Sequence, residues 1–288
     1  MPDDGSVGED VQRLSCQRSE RRQRETDDLA IVRGPKAIAP FKQAFEDYWE
    51  NDKPSTFGKT RSAKWQSLGL DDIDAKIAFS PHSKANALLE SIGDDLNKGL
   101  TSSLLYSLAF LYQTPGVIKK AIAKATKNDK IFVYGISDRK VGGIVLRTPT
   151  GNVAPVFPTA LEKKNTPEPF KSEPTGGGGN RMHHKFLVVD FDKPSARVYL
   201  GSYNFSKPAD GQNGENLVLI RDRRIATSYM IEALRIFDHY HFRVLQKAAK
   251  SARKKLFLAK PPRKRGEKAW WLEDYTNKRR IRDRELFA

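Results

Sequence analysis

The chain has 288 residues, is 38% hydrophobic and carries a formal net charge of +16 at pH 7. This length and apolar content suffice for a hydrophobic core. No stretch approaches the roughly 18 apolar residues of a membrane span, and the opening "MPDDGSVGEDVQ" lacks the basic start and apolar segment of a signal peptide. The single Cys16 excludes a disulfide framework and a cysteine metal cluster. We therefore expect a soluble cytoplasmic protein.

Strand-like and helix-like segments alternate from about residue 75 onward. Residues 75–81, "AKIAFSP", predict a strand that ends at a proline, and residues 84–100 have the apolar spacing of a helix. The apolar run 102–112 follows, and residues 115–128 predict an amphipathic helix that begins with proline. Residues 130–138, "KIFVYGISD", are again strand-like. This alternation predicts an α/β fold with a mixed, largely parallel sheet flanked by helices.

A long segment at 147–181 is rich in proline and glycine and lacks periodicity, so it predicts a loop. Strands are expected at 185–190, 196–205 and 215–222, and a helix at 225–250.

The chain divides into three predicted regions. Residues 1–70 form an N-terminal extension, residues 71–246 a catalytic unit, and residues 247–288 a basic C-terminal tail. Within the extension, "DDLAIVRGPKAIA" at 27–39 resembles "ENLVLIRDRRIA" at 215–226. Either this likeness reflects only a strand followed by a helix, or the extension is the remnant of a preceding copy of the catalytic unit.

The stretch "MHHKFLVVD", residues 182–190, places two histidines and a lysine before an apolar run. Residues two apart in a strand face the same way, so His183 and Lys185 are expected to project together and His184 to the opposite side. An imidazole beside an ammonium suits chemistry at a phosphoryl group, because the ammonium neutralises oxygen charge while the histidine reacts. Asp190 lies about 23 Å along the strand from His183 and is expected to bind backbone donors.

The next two segments offer further polar groups. "GSYNF", residues 201–205, predicts Ser202 and Asn204 on one face of a strand, with Gly201 allowing close approach of the backbone. Glu215 begins another strand, where its carboxylate could accept the second N–H of His183 and fix the tautomer of the ring.

Together, "HHKFLVVD", "GSYNFS" and "GEN" resemble the HxKxxxxD, GSxN and glutamate elements of the phospholipase D superfamily, and the likeness extends over residues 75–245. The resemblance implies that His183 attacks phosphorus to form a phosphohistidine. It implies that Lys185 and Asn204 hold the non-bridging oxygens, that Ser202 supports them and that Glu215 orients His183. It also implies that neither a metal nor another cofactor is needed.

Two other interpretations of these residues are weaker. A purely structural role for the histidines would leave Lys185, Asn204 and Glu215 as coincidences. A metal site would need His183 and His184 to face the same way, which a strand does not allow. The "HSK" at 82–84 imitates the motif but lacks the following apolar strand, so we expect His82 to be a strand-end residue.

The superfamily uses two HxK elements per reaction, and this chain contains one. Either two identical chains share a site as a homodimer, or the chain is a shortened descendant of a protein with two motifs.

The positive charge is concentrated at the C-terminus, where residues 247–288 hold 15 Lys or Arg against 5 Asp or Glu. Cations interleaved with aromatic residues favour nucleic acid as the partner, although an anionic phospholipid surface would attract the same charge and a solubilising role is the simplest alternative. The candidate nucleic-acid-binding residues are Lys254, Lys255, Arg263, Lys264, Arg265, Arg279 and Arg280. The predicted function is phosphodiester hydrolysis in nucleic acid; the alternatives are a phospholipase D acting on phosphatidyl lipids and a catalytically silent nucleic-acid-binding remnant.

Overall fold

The computed structural model of the chain describes residues 30–111, 116–138, 144–147, 153–156, 182–253 and 260–288. The helices are α1 (Pro35–Glu50), α2 (Pro54–Phe57), α3 (Leu89–Lys98), α4 (Val117–Thr126), α5 (Lys207–Gly211), α6 (Arg223–Ser251), α7 (Glu273–Thr276) and α8 (Lys278–Leu286). The strands are β1 (Gln66–Ser67), β2 (Asp74–Phe79), β3 (Ser103–Leu108), β4 (Phe132–Asp138), β5 (Ile144–Arg147), β6 (Val153–Val156), β7 (Lys185–Val189), β8 (Arg197–Leu200) and β9 (Asn216–Arg221).

These strands form one mixed sheet in the order β1-β2-β9-β8-β7-β3-β4-β5-β6, so the expected α/β architecture is confirmed. The expectation that the sheet is largely parallel is wrong, because β3 and β4 form the one parallel pair among the described strands. Helix α3 connects β2 to β3, and β3 does run in the same direction as β2. However, β9, β8 and β7 lie between these two strands and run antiparallel to their neighbours, so the parallel strands are not adjacent.

Helices cover both faces of the sheet, and the residues of its central strands alternate between two apolar clusters, one on each face. Leu187 and Val189 of β7 pack with α3 and α4, whereas Phe186 and Val188 pack with α1 and α6. The central strands are therefore buried on both sides, which fits the continuous apolar runs of the sequence.

The described part of the predicted N-terminal extension contributes to the second of these clusters. Ala37 and Ala44 of α1 pack in the same core as Phe57 and Leu68. The helix of the suspected repeat is present, but residues 30–33 ahead of it do not form a strand. The domain boundaries stay a prediction.

Two predicted irregular regions contain regular structure. Residues 153–156 of the predicted loop 147–181 form β6, and residues 157–181 lie outside the described ranges. Residues 247–251 of the predicted tail belong to the end of α6. No helix within the described ranges is both long and apolar enough to span a membrane.

Candidate active site

Strands β2, β9, β8, β7 and β3 bring the predicted catalytic segments to one edge of the sheet, which we call the site edge. In the ladders, Phe79 pairs with Asn216 and Leu108 pairs with Lys185, and Leu200, the last residue of β8, pairs with Val218. Continuing these registers past the strand ends places His183 and Glu215 at the same level, two strands apart. Since neighbouring strands are about 4.8 Å apart, their backbones are separated by about 10 Å, a distance that two side chains can bridge.

His183 and Lys185 are in direct contact at the start of β7. The Nζ atom of Lys185 lies 2.9 Å from Nε2 of His183 and donates a hydrogen bond to the His183 carbonyl oxygen at 2.9 Å. His183 is half-buried, and its ring meets the ring of Phe110 edge-on at 6.0 Å between centroids. The imidazole and the ammonium are therefore adjacent at the start of β7.

His184 faces the interior, as the strand pattern predicts. The residue is 1% exposed, and its ring lies edge-on to Phe186 in the core on the α1 and α6 side. Its backbone carbonyl accepts a hydrogen bond from the amide of Ala109, which extends the pairing of β7 with β3. His184 therefore fixes the start of β7 rather than adding a second imidazole to the site.

Ser202 and Asn204 lie beyond the end of a strand, so the expectation that they share a strand face is wrong. Strand β8 ends at Leu200, because Gly201 has φ 134, a conformation that a side chain would not tolerate. A Cβ at Gly201 would also come within 2.4 Å of the Asn216 carbonyl oxygen. Glycine thus lets the chain turn sharply against β9.

The side chains of Ser202 and Asn204 have different surroundings. Ser202 Oγ accepts hydrogen bonds from the backbone and side-chain nitrogens of Asn216, at 3.0 and 3.3 Å. In contrast, the side-chain oxygen of Asn204 is buried without a hydrogen bond from any described residue. A buried amide oxygen without a hydrogen bond is costly in free energy.

Glu215 stands at the head of β9, where Ser80 holds its backbone. The Glu215 amide donates to Ser80 Oγ at 3.1 Å, and the Ser80 amide donates to the Glu215 carbonyl at 2.8 Å. The half-buried side chain also accepts a bond from the Asn213 amide group at 3.4 Å. The role of Glu215 in orienting His183 stays a prediction.

Tyr48 of α1 reaches the same place, which the sequence did not predict. Its hydroxyl donates to the Ser80 carbonyl oxygen, and its ring stacks on Phe57 at 4.1 Å between centroids. Burial, followed by the negative charge of Glu215, raises the pKa of the Tyr48 hydroxyl well above its usual value, so the hydroxyl stays protonated at neutral pH. The N-terminal extension thus supplies part of the wall of the site.

His82 forms a buried pair with Asp210 beside the site edge. Nδ1 of His82 lies 2.7 Å from the Asp210 carboxylate, which also accepts the backbone amide of Leu88 at 3.1 Å. Burial raises the pKa of Asp210, but its hydrogen bonds with His82 and Leu88 outweigh this effect and lower the pKa below its usual value. The sequence predicts a strand-end position for His82, but β2 ends at Phe79, three residues earlier. The pair ties the segment after β2 to α5.

Asp190 lies at the other end of β7 and is fully buried. Its carboxylate accepts hydrogen bonds from the backbone amides of Thr101, Ser102 and Ser103 at 2.8 to 3.2 Å, and from the hydroxyls of Thr101 and Ser102 at 2.9 and 3.1 Å. The geometry agrees with the structural role expected for this residue, since the carboxylate joins the end of β7 to the start of β3.

The predicted nucleic-acid-binding cations are distributed unevenly. Arg263, Lys264 and Arg265 are exposed, whereas Lys254 and Lys255 lie outside the described residues. Arg279 forms an ion pair with Asp129, and Arg280 pairs with Asp274 at 2.9 Å and with Glu273 at 3.0 Å. Ion pairing leaves Arg279 and Arg280 less able to bind phosphate than the exposed cluster.

Potential metal ligands do not cluster in the described part of the chain. Within it, no group of three or more His, Cys, Asp or Glu side chains is arranged to hold an ion. The site edge offers an imidazole nitrogen, an adjacent ammonium and a carboxylate at the same end of the sheet, and such groups can take part in acid–base and nucleophilic chemistry.

The sequence of this region matches a known protein family. Residues 159–237 match the family model described as "Cardiolipin synthase, PLD-like domain". Proteins named "Phospholipase D" from Rickettsia prowazekii (strain Madrid E) and Rickettsia felis are 44% and 42% identical over 48 residues, which is 17% of this chain and 22% of each relative. The matched part thus spans less than a quarter of the length of these relatives.

A solved structure shares the fold. The phosphatidylserine synthase of Haemophilus influenzae Rd KW20 is similar with a TM-score of 0.50 and 13% identity, over 81% of this chain and 63% of that one. The phospholipase D family member Nuc from Salmonella typhimurium has a TM-score of 0.33 and 19% identity, over 61% of this chain and 96% of that one.

Proposed function

We propose a function from the premise that this chain carries a phospholipase D-like domain, which the match over residues 159–237 confirms. The domain is of the phosphodiesterase type. We propose that it hydrolyses phosphodiester bonds of nucleic acid through a covalent phosphohistidine, without a metal ion. The observation that carries this proposal is the 2.9 Å contact between His183 Nε2 and Lys185 Nζ at the site edge.

In the first step of this mechanism, Nε2 of His183 attacks phosphorus and forms a P–N bond. The P–O bond to the leaving oxygen breaks, and that oxygen receives a proton from an acid on the opposite side. Lys185 neutralises charge on the non-bridging oxygens, and Asn204 offers an amide to the same group. Water then attacks phosphorus and gives a proton to the group that acted as the acid, the P–N bond breaks, and His183 is regenerated.

Charge supports nucleic acid as the substrate. The chain carries +16 at pH 7, and Arg263, Lys264 and Arg265 are exposed together. A polyanionic backbone releases counterions when such cations bind it, which favours association. The alternative substrate is a phosphatidyl lipid, supported by the names of the Rickettsia relatives and of the matching family model. A catalytically silent nucleic-acid-binding protein is the second alternative.

A direct comparison of substrates tests this choice. We expect the full chain, with excess EDTA present, to cleave single- or double-stranded DNA or RNA at least tenfold faster than it releases head groups from phosphatidylglycerol vesicles. His183→Ala, assayed in parallel, identifies any contaminating nuclease. Head-group release without cleavage of any nucleic acid would contradict the proposal and favour the lipid alternative.

The acid for the first step is proposed to come from a second copy of this chain. One HxK motif supplies one nucleophilic histidine, and His82 and His184 are buried in structural contacts. A twofold pair of chains would place the partner's His183 opposite the first.

The outer face of α1 is a suitable surface for this pairing. Ile38, Phe41, Phe45 and Trp49 follow one stripe of the helix, and the last two are 70% and 83% exposed. The stripe flanks Tyr48, whose hydroxyl contacts the carbonyl of Ser80 at the site edge. A second chain bound along this stripe would therefore lie beside the incomplete site.

Phe45→Arg is expected to dissociate the dimer and to lower specific activity at least tenfold at micromolar concentration, because a charge would be buried at the interface. Sedimentation and light scattering measure the assembly, and thermal unfolding shows that the fold is kept. The control, Ile231→Arg, changes an exposed apolar residue on α6. A fully active monomer of wild-type chain would refute the shared site.

A further inference from the structure

The C-terminal segment folds back onto the body of the protein. Phe287, just after α8, stacks on Phe191 with 5.5 Å between ring centroids. Arg282 of α8 donates hydrogen bonds to the carbonyls of Asp129 and Ile131 at 2.7 and 2.8 Å. These contacts lie where β4 begins and where β7 has ended, so the segment docks at the end of the sheet opposite the site edge.

This docked segment presents an aromatic groove to solvent. The groove has a volume of about 550 Å³ and is lined by residues that include Trp270, Trp271, Tyr275, Arg280 and Arg284. The first three are 56%, 37% and 59% exposed. The volume falls within the range of about 300–1,000 Å³ that is typical of ligand sites. Three exposed aromatic rings lie together along this open groove, and such a patch can serve as an interaction surface.

The chemistry of the groove suits unpaired bases. The two tryptophan rings meet edge-on at 5.3 Å, so they present faces in different directions, and the guanidinium of Arg284 lies 4.3 Å from the centre of the Tyr275 ring. Exposed aromatic faces and arginine stack on bases of any sequence. Around the groove, residues 260–288 hold ten Lys or Arg against five Asp or Glu.

The groove also contains carboxylates. Asp274 lies at the groove and pairs with Arg280 at 2.9 Å, and Asp283 pairs with Arg282. Such groups would oppose an anionic lipid surface pressed flat against the segment. They are compatible with bases, because a carboxylate accepts hydrogen bonds from the amino groups of cytosine.

We propose that this groove binds a single-stranded segment of nucleic acid at a second, non-catalytic site. The proposal rests on the proposed nucleic-acid substrate. Lys185 begins β7 and Asp190 directly follows it, and these residues are about 17 Å apart along the strand. A base in the groove is therefore remote from His183. At about 3.4 Å per nucleotide of a stacked strand, at least about five nucleotides separate the two sites. The groove therefore holds the strand, while cleavage occurs elsewhere on it.

Binding is measured with the full chain carrying His183→Ala, so that turnover does not consume the probe. Affinity for a fluorescently labelled 20-nucleotide single-stranded DNA is expected to fall about tenfold in Trp270→Ala and in Tyr275→Ala, whereas Tyr275→Phe, which keeps the ring, should bind like its parent. Phe242→Ala removes an exposed ring from α6 and serves as the matched control, with a change of less than twofold expected. Thermal unfolding checks that each variant is folded.

Three outcomes decide the proposal. It is supported if both ring deletions weaken single-strand binding and a duplex of the same sequence binds less tightly. Unchanged affinity in Trp270→Ala and Tyr275→Ala overturns it. The proposal is also overturned if these two variants bind phosphatidylglycerol vesicles more weakly but bind DNA as before. The groove would then be a membrane contact. If DNA binding depends on the two rings but the chain cleaves no nucleic acid, the groove proposal stands and the proposed function is refuted.

Discussion

Replacing His183 with alanine is expected to reduce hydrolysis of a generic aryl phosphodiester by a factor of about 10³ or more, because it removes the nucleophile. Wild-type activity is expected to persist in excess EDTA, since Lys185 supplies the positive charge next to Nε2 of His183. The measurement is the release of nitrophenolate from bis(p-nitrophenyl) phosphate, with and without chelator.

The control variant is His241→Ala, since His241 lies on α6 and contacts Phe237 instead of the site edge. It should retain activity close to that of the wild type. Rapid denaturation during turnover of a labelled diester should trap label on the wild-type chain by an acid-labile bond, and not on His183→Ala. Chelator-sensitive turnover that survives in His183→Ala would exclude the phosphohistidine mechanism. A folded wild-type dimer without any activity would favour the catalytically silent alternative.

Replacing Asp190 with asparagine is expected to lower the free energy of unfolding by about 3 kcal/mol, because charge-assisted hydrogen bonds are lost in a buried site. The carboxylate accepts bonds from the amides of Thr101, Ser102 and Ser103 and from two hydroxyls. An asparagine would turn an amide NH₂ group toward some of these donors. Urea unfolding followed by circular dichroism measures the change.

The matched control for this prediction is Asp94→Asn, the same chemical change at a side chain that is 65% exposed in an ion pair with Lys98. A change within about 0.5 kcal/mol is expected there. Asp190→Asn should retain most of its activity at temperatures where it stays folded, since it is about 17 Å along β7 from Lys185. Loss of activity with an unchanged urea midpoint would show that the structural role is wrong.

Several features of the site follow from local sequence. The i, i+2 spacing of His183 and Lys185 is enough to place the two side chains together, since neighbouring positions of an extended chain face opposite ways. The same alternation buries His184. The lack of a following apolar strand separates the "HSK" at 82–84 from the motif, and in the structure His82 lies beyond the end of β2 in a buried pair with Asp210.

Other features depend on contacts between residues far apart in the chain. The alternation of strands and helices predicts the direction of successive strands, but which strands become neighbours depends on the packing of the whole sheet. Strand β7, which comes late in the chain, pairs with β3 and β8, and this arrangement makes the sheet mostly antiparallel. Ser202 and Asn204 leave the strand because Gly201 turns against the Asn216 carbonyl, and no local pattern reveals that neighbour.

The sequence by itself therefore determined the α/β class, the pairing of His183 with Lys185 and the basic character of the C-terminal region, because each depends on local periodicity or on charge. Only the tertiary structure decided that Tyr48 joins the wall of the site, that the partners of Asp190 are Thr101 and Ser102, and that the C-terminal segment docks at the opposite end of the sheet. These contacts join residues 32 or more positions apart, and their geometry is fixed by the packing of a common core rather than by neighbours in the chain.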